Sequence, residues 1–218
     1  MTISFYEHPF SSYVQKAKTA LYEKCISFES KLIDGSEPVA SEFAALWPIQ
    51  RFPVLIDDGH FVFEATGIIE YLEVRFSETP RLIPADPMLA AEVRMWDRFF
   101  DNYVSYPQGR VVFMAIGREP DDKRGGATWK SMLETSYAYL DRRMAGRTWA
   151  VGEKFSLADC AAAPALLYAD WTHPIPEHFA AVHAYRQRLL ARPSYARALD
   201  DARPYRKLFP LGAPADRD

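Results

Sequence analysis

The stretch Arg51-Phe52-Pro53-Val54-Leu55-Ile56-Asp57-Asp58-Gly59-His60-Phe61-Val62-Phe63-Glu64-Ala65-Thr66-Gly67-Ile68-Ile69-Glu70-Tyr71-Leu72 decides the fold, because it reads as two strands, a tight turn and a helix. Val54 to Ile56 and Phe61 to Phe63 are short apolar runs, and the Asp58-Gly59 pair between them is a strong signal for a two-residue hairpin. A proline directly before the first run cannot donate to a ladder. It therefore belongs at a strand entrance, where its neighbour's amide and carbonyl can turn toward a ligand. Past the second run, Ile68, Ile69, Leu72 and Phe76 recur at helical spacing behind the acidic Glu64.

Upstream, residues 3 to 6 read as a first strand. Val14, Ala17, Ala20 and Leu21 then line one face of a helix whose other face carries Lys16, Lys18 and Glu23. Ile26 to Ile33 reads as a second strand ended by Asp34-Gly35-Ser36, and Ser41 to Leu46 as a short helix. A β-α-β opening needs a crossover, which makes the first two strands parallel, while the hairpin makes the last two antiparallel. A mixed sheet follows.

Downstream the character changes. Ser77 to Pro87 carries three prolines, at 80, 84 and 87, and breaks both periods as a linker does. Beyond it only helical patterns remain. Asp86-Pro87 is a cap followed by proline at the first helical position, and Leu89, Val93, Trp96, Phe100 and Val104 then share a face. Gly117 to Gly126 reads as a charged loop, and Trp129, Met132, Leu133, Ser136, Tyr137, Leu140 and Met144 as a second helix ended by Gly146. Phe155-Ser156-Leu157-Ala158-Asp159 combines an N-cap, its capping-box partner and a hydrophobic staple ahead of a nearly charge-free helix, Leu157 to Tyr168. Phe179 to Leu190 and a short segment after Pro193 complete the helices, and the tail from Pro210 is expected to fray.

Among 218 residues, 49% are hydrophobic and 14% aromatic, ample for a core, and a formal charge of −3 without a basic run recommends neither nucleic acid nor an anionic membrane as partner. The N-terminus has no basic leader followed by an apolar stretch, and no run approaches a membrane span, so a cytoplasmic protein is expected. Cys25 and Cys160 sit in apolar helical patterns with no CxxC pair and no histidine cluster, predicting two buried, reduced thiols and no metal.

RFPVLID followed by FEATGIIEYLE resembles the strand 3 to helix 3 region of the cytosolic glutathione transferases, with Ala65 where that family usually has serine. ISFYEHPFSSYVQKAKTAL is similar to its strand 1 to helix 1 segment, and FSLADCAAAPAL to the buried helix of its C-terminal domain. The matches run in the family's order over most of residues 1 to 200. The resemblance implies an α/β thioredoxin-like domain with a mixed four-stranded sheet over 1–78, a linker over 79–87, an all-α domain over 88–210 and a tail over 211–218. It further implies glutathione as co-substrate and a homodimer.

Glutathione's thiol, with a free pKa near 8.5, is only about 3% thiolate at pH 7. A hydroxyl at a helix N-terminus can shift that balance, and about 2 pKa units correspond to ~2.7 kcal/mol. Ser11 falls at the position of the activating serine in theta- and zeta-like members and of the cysteine in beta-like ones, although a serine there also suits a plain N-cap. Ser12, Tyr6 and Tyr13 are rival hydroxyls. With serine at both positions where helix 1 starts, exchange through an enzyme thiolate is disfavoured.

The resemblance gives Phe52, beside a cis Pro53, the backbone pairing with the cysteinyl unit. It gives Glu64 the γ-glutamyl ammonium and Arg51 the glycyl carboxylate. Each charge also has a blander reading, as a helix-start acid and a solvated strand-edge cation. Ala65 removes the hydroxyl that binds the γ-glutamyl carboxylate, a contact worth about 1.5–3 kcal/mol, unless Thr66 or backbone amides compensate. Trp47 before Pro48 and Ser12 are further departures, standing where asparagine and proline are common. An electrophile pocket between domains would draw on Pro9, Phe10, Tyr103, Tyr106, Phe113, Tyr168 and Trp171, unless these aromatics are core or dimer surface. Conjugation, peroxide reduction, isomerisation and a binding or scaffold role with little turnover all remain open.

Overall fold

The computed structural model describes residues 3–118 and 123–217. Strands β1 (Ile3–Glu7), β2 (Phe28–Leu32), β3 (Val54–Asp57) and β4 (His60–Phe63) form one four-stranded sheet in the order β2-β1-β3-β4. β1 and β2 are parallel, while β1–β3 and β3–β4 are antiparallel, the mixed sheet expected of a thioredoxin-like unit. Asp58 and Gly59 turn the hairpin with φ of 49° and 82°, closing it on the Asp57–His60 pair.

Strand alternation sorts the side chains onto two faces. Ile3, Phe5 and Leu55 pack under α1 (Ser12–Glu23) and α3 (Ala65–Arg75), against Val14, Leu21, Ile68 and Leu72. Tyr6 and Val54 face the other way, onto Phe43 of α2 (Val39–Leu46). Asp57, buried at the hairpin end, accepts from the Tyr71 hydroxyl at 2.9 Å and from Arg75 Nε at 3.1 Å, tying α3 to the sheet.

The helical part comprises α4 (Pro87–Phe99), α5 (Tyr106–Ala115), α6 (Lys123–Met144), α7 (Leu157–Thr172), α8 (Ala180–Leu190) and α9 (Pro193–Ala202). Asp86 caps α4 by accepting from Leu89 N at 2.7 Å. The stripe running on through Phe100 and Val104 is buried, but Phe100–Ser105 is π-helical. Pro107 has no N–H to return to the Tyr103 carbonyl, which accepts instead from Ser136 Oγ at 2.8 Å, and the wider turn accommodates that. Every residue of α7 is buried. Its capping box is present, and Asp159 is more than a cap: it also accepts from Ala150 N at 2.9 Å and the Tyr185 hydroxyl at 2.6 Å.

Three expectations need correction, and the charged face of α1 needs a physical account. The polar face of α1 does not meet solvent: Lys16 and Lys18 are 1% and 4% exposed. This helix lies between a sheet and a helical layer, so its second face is buried through ion pairs. Lys16 Nζ reaches Asp97 at 2.6 Å and Asp101 at 2.7 Å, and Lys18 Nζ reaches Glu7 at 2.8 Å and Asp201 at 2.9 Å. Cys160 is buried and its thiol pKa pushed well up by burial, but Cys25 is exposed, in the turn after α1 with φ 54°. Of the loop expected over Gly117 to Gly126, residues 119–122 lie outside the described residues and Lys123 onward is helix. The tail is held as well, since the Arg217 carbonyl accepts from Arg186 and from Trp171 Nε1. Among the described residues, no helix is long and apolar enough to cross a membrane.

Candidate functional site

Ser11 is the N-cap of α1, with φ −79° and ψ 129°, and its Oγ accepts from Val14 N at 3.4 Å. That bond uses an oxygen lone pair, and the hydroxyl proton has no acceptor among the described residues. Capping the helix and donating to a ligand are therefore compatible.

The loop ahead of Ser11 is held from the helical side. Gln15, fully buried, donates to the Pro9 carbonyl at 3.1 Å and to the Tyr168 hydroxyl at 2.8 Å. Tyr168 donates in turn to the Phe10 carbonyl at 2.8 Å, and Tyr195 to Gln15 Oε1 at 3.1 Å. His8 accepts from Ser11 N through its carbonyl and from Phe10 N through Nδ1, at 2.9 and 3.3 Å. Burial lowers its pKa, keeping the imidazole neutral at pH 7. Its ring lies 6.4 Å from that of Phe52 and 4.8 Å from that of Tyr205, so it joins the Ser11 loop to the strand entrance.

The rival hydroxyls separate. Tyr6 donates to the Glu42 carboxylate and stacks on Phe43, on the α2 side of the sheet, so its proton is already committed. Burial pushes its pKa up to about 12. Ser12, half-buried, opens α1 with no side-chain hydrogen bond among the described residues. Tyr13 is 39% exposed, and burial beside Asp101 and Glu64 raises its pKa to about 12, which keeps it protonated at neutral pH.

The Phe52–Pro53 peptide is cis, with Pro53 buried and Phe52 half-buried. Arg51 is exposed and has no partner among the described residues. Glu64, between β4 and α3, has φ 64° and ψ 127°, a conformation costing a non-glycine residue about 1–3 kcal/mol. Its carboxylate is exposed and does not cap the helix. The first N–H groups of α3, from Ala65, Thr66 and Gly67, consequently have no side-chain cap. They open onto a concavity of about 390 Å³ that Tyr13, Glu64, Arg98 and Asp101 also line.

Thr66 does not replace the hydroxyl missing at Ala65. Its Oγ1 accepts from Lys16 Nζ at 2.9 Å and Arg98 Nη1 at 3.0 Å and donates to Asp97 Oδ2 at 2.9 Å, which uses both lone pairs and the proton. Burial raises the Asp101 pKa against the opposing pull of Lys16.

The residues expected to line an electrophile pocket divide between the core and half-exposed positions. Phe10 packs edge-on against Tyr168, tilted against Trp171, and onto Phe209, and both Tyr168 and Trp171 are buried in the helical core. Pro9 is buried with them, under Gln15. Tyr103 packs on Phe99 and Tyr106 on Trp129, each about half exposed, and Phe113 is half-buried on α5. Open space of about 580 Å³ lies nearby, lined by Val111, Met114, Ala127, Lys130 and Leu211. The sequence reading missed these. Val111 and Met114 share the i, i+3 spacing of a helix face, whereas Leu211 fell in the supposed frayed tail. Arg98 and Asp101 were missed too, because only tertiary packing brings α4 and the π-helical segment after it to the N-terminus of α3.

Comparison with known proteins places this geometry. Residues 5–80 match the model of the glutathione S-transferase N-terminal domain, and residues 121–193 that of the C-terminal domain. A maleylacetoacetate isomerase of Rattus norvegicus is 30% identical over 76% of this chain and 77% of its own. A stringent starvation protein A homolog of Coxiella burnetii is 25% identical over 92% of both chains. A glutathione S-transferase-like protein of a Fusarium species is 30% identical, and the chain spans 62% of its length. The crystal structure of a glutathione S-transferase from Rhodospirillum rubrum superposes with a TM-score of 0.77 at 26% identity, over 91% of this chain and 92% of that one.

Proposed function

The chain belongs to the glutathione S-transferase family, and we propose that it binds glutathione, holds the sulfur as thiolate through Ser11 and adds it to a small apolar electrophile. The thiol proton passes to solvent, a carbon–sulfur bond forms, and the enzyme carries no covalent intermediate. The observation that carries the reading is the Ser11 hydroxyl, fixed by its cap bond at the positive end of α1 with its proton uncommitted. Phe52 would pair with the cysteinyl backbone, Glu64 with the γ-glutamyl ammonium and Arg51 with the glycyl carboxylate. The electrophile would enter the 580 Å³ cavity, whose Leu211 follows the Phe209 that packs on Phe10. A cytoplasmic homodimer completes the proposal.

The test is a glutathione titration by calorimetry, with thiolate absorbance followed across pH. Binding with the thiol pKa well below its free value supports a working transferase, and an electrophile panel then separates conjugation from peroxide reduction and isomerisation. Ala65 and the saturated Thr66 hydroxyl favour one alternative, a transferase-like binding or scaffold protein with little turnover. No binding at millimolar glutathione would put that alternative first.

A further inference from the structure

We infer that Arg98, reaching from α4 to the first turn of α3, is the receptor for the γ-glutamyl carboxylate and takes the place of the hydroxyl that Ala65 lacks. The inference rests on the glutathione reading of the site and names a residue outside the pattern from which that reading comes.

Arg98 Nη1 lies 3.0 Å from Thr66 Oγ1, which puts the guanidinium within one turn of the uncapped N–H groups of Ala65, Thr66 and Gly67. All of these border the 390 Å³ concavity. The same Nη1 is held by Asp97 Oδ2 at 2.8 Å, with Asp101 Oδ2 at 3.7 Å, so one edge of the fork is fixed from below. Nε and Nη2 have no hydrogen-bond partner among the described residues, and the side chain is 55% exposed, which leaves the outward edge free for two parallel bonds to a carboxylate.

The charges around it fit a zwitterion. Lys16, at 2.6 Å from Asp97 and 2.7 Å from Asp101, supplies one of the two positive charges these carboxylates call for, and Arg98 supplies the other through Nη1 alone, which leaves its Nε and Nη2 edge for a ligand. Glu64, which also lines the concavity, is exposed and has no ion-pair partner among the described residues, as the partner of an ammonium should be. Glu70 is taken by Arg94 at 2.7 Å. An α-amino acid head group therefore meets one free cation edge and one free carboxylate. The guanidinium, added to the helix end, makes the carboxylate half of that match, and it is the stronger donor for having replaced a neutral hydroxyl.

The experiment measures glutathione affinity and, in parallel, affinity for the analogue whose γ-glutamyl α-carboxylate is an amide, in the full chain and in Arg98→Gln, Arg98→Lys and Ala65→Ser. The chain as it stands should prefer glutathione over the amide by about ten- to a hundredfold, the range for a hydrogen bond to a charged group. Arg98→Gln should bring the two ligands to within about twofold of each other, Arg98→Lys should keep part of the preference, and Ala65→Ser added to Arg98→Gln should restore it in part. Using the ratio guards against a merely loosened fold, which would weaken both ligands alike. An Arg98→Gln variant that keeps the full preference overturns the assignment and leaves the glutathione reading standing. Failure of the unaltered chain to bind glutathione at all removes both.

Discussion

Helices α1 and α3 each begin at the end of a strand, and they finish their first turns differently. At α1 a serine in extended conformation caps the turn and keeps a proton to give away. At α3 a strained Glu64 turns its carboxylate outward, the next residue is alanine, and the following hydroxyl is committed to Lys16, Arg98 and Asp97. Both ends carry the positive pole of a helix. One is completed locally and suits a soft, uncharged thiol that must lose a proton. The other is left incomplete, with a guanidinium beside it, and suits an anion arriving already charged.

The largest effect should come from removing what holds the α3 end in place. Lys16→Met leaves the buried Asp97 and the half-buried Asp101 without their ammonium, and urea unfolding should show a loss of about 3–5 kcal/mol. A loss below about 1 kcal/mol would mean that Arg98 swings inward to replace the lysine, and the two ends would then differ less than the geometry indicates. Next is Ser11→Ala. Turnover should fall about a hundredfold and the bound thiol's pKa should rise by about 2 units, with glutathione affinity nearly unchanged. An unchanged rate would move the donor to Ser12 or Tyr13, the other hydroxyls at the α1 end, and Ser12→Ala or Tyr13→Phe would then carry the loss.

Glu64→Gly sharpens the contrast through the backbone. Glycine relieves about 1–3 kcal/mol of strain and returns roughly 0.5–1 kcal/mol in unfolded-state freedom, so the variant should be about 1 kcal/mol more stable while binding glutathione more weakly. Greater stability with unchanged binding would take Glu64 out of the site. The smallest effect lies at the far end of α1. Burial pushes the Glu23 carboxyl up, but Arg192 and Ser194 outweigh it and hold its pKa below the usual range. A depressed carboxyl contributes its full stabilisation above the unfolded value, near 4.3, and loses it as pH falls through the folded one. Glu23→Gln should therefore flatten the acid side of the stability profile and leave the glutathione site untouched, read by thermal melts from pH 7 down to about pH 3.

What could be read from sequence followed from how local each device is. The Asp58-Gly59 turn, the Asp86-Pro87 start and the Ser156 box rest on neighbours within three residues, and all formed as their spacing required. The burial of Lys16 and Lys18 was not legible, because periodicity separates apolar from polar faces but does not say that a polar face is buried against carboxylates from other elements. In the candidate site, the place of Ser11 as a cap was legible, whereas the exhaustion of the Thr66 hydroxyl was not. Its three partners come from residues 16, 97 and 98, distant in the chain and adjacent only once α1, α3 and α4 have packed.

The ammonium of Lys16 has a mechanical meaning as well. It belongs to α1, touches Thr66 on α3, and answers carboxylates from α4 and the π-helical segment beyond it. α1 cannot swing away from α4 or the π-helical segment without stranding a charge in the interior, which opposes hinge opening between the sheet and the helices as a route for ligands. Entry and exit must proceed through side chains and loops at the rim. The amide hydrogens of α1 and α4 should then exchange with solvent only when the whole chain unfolds.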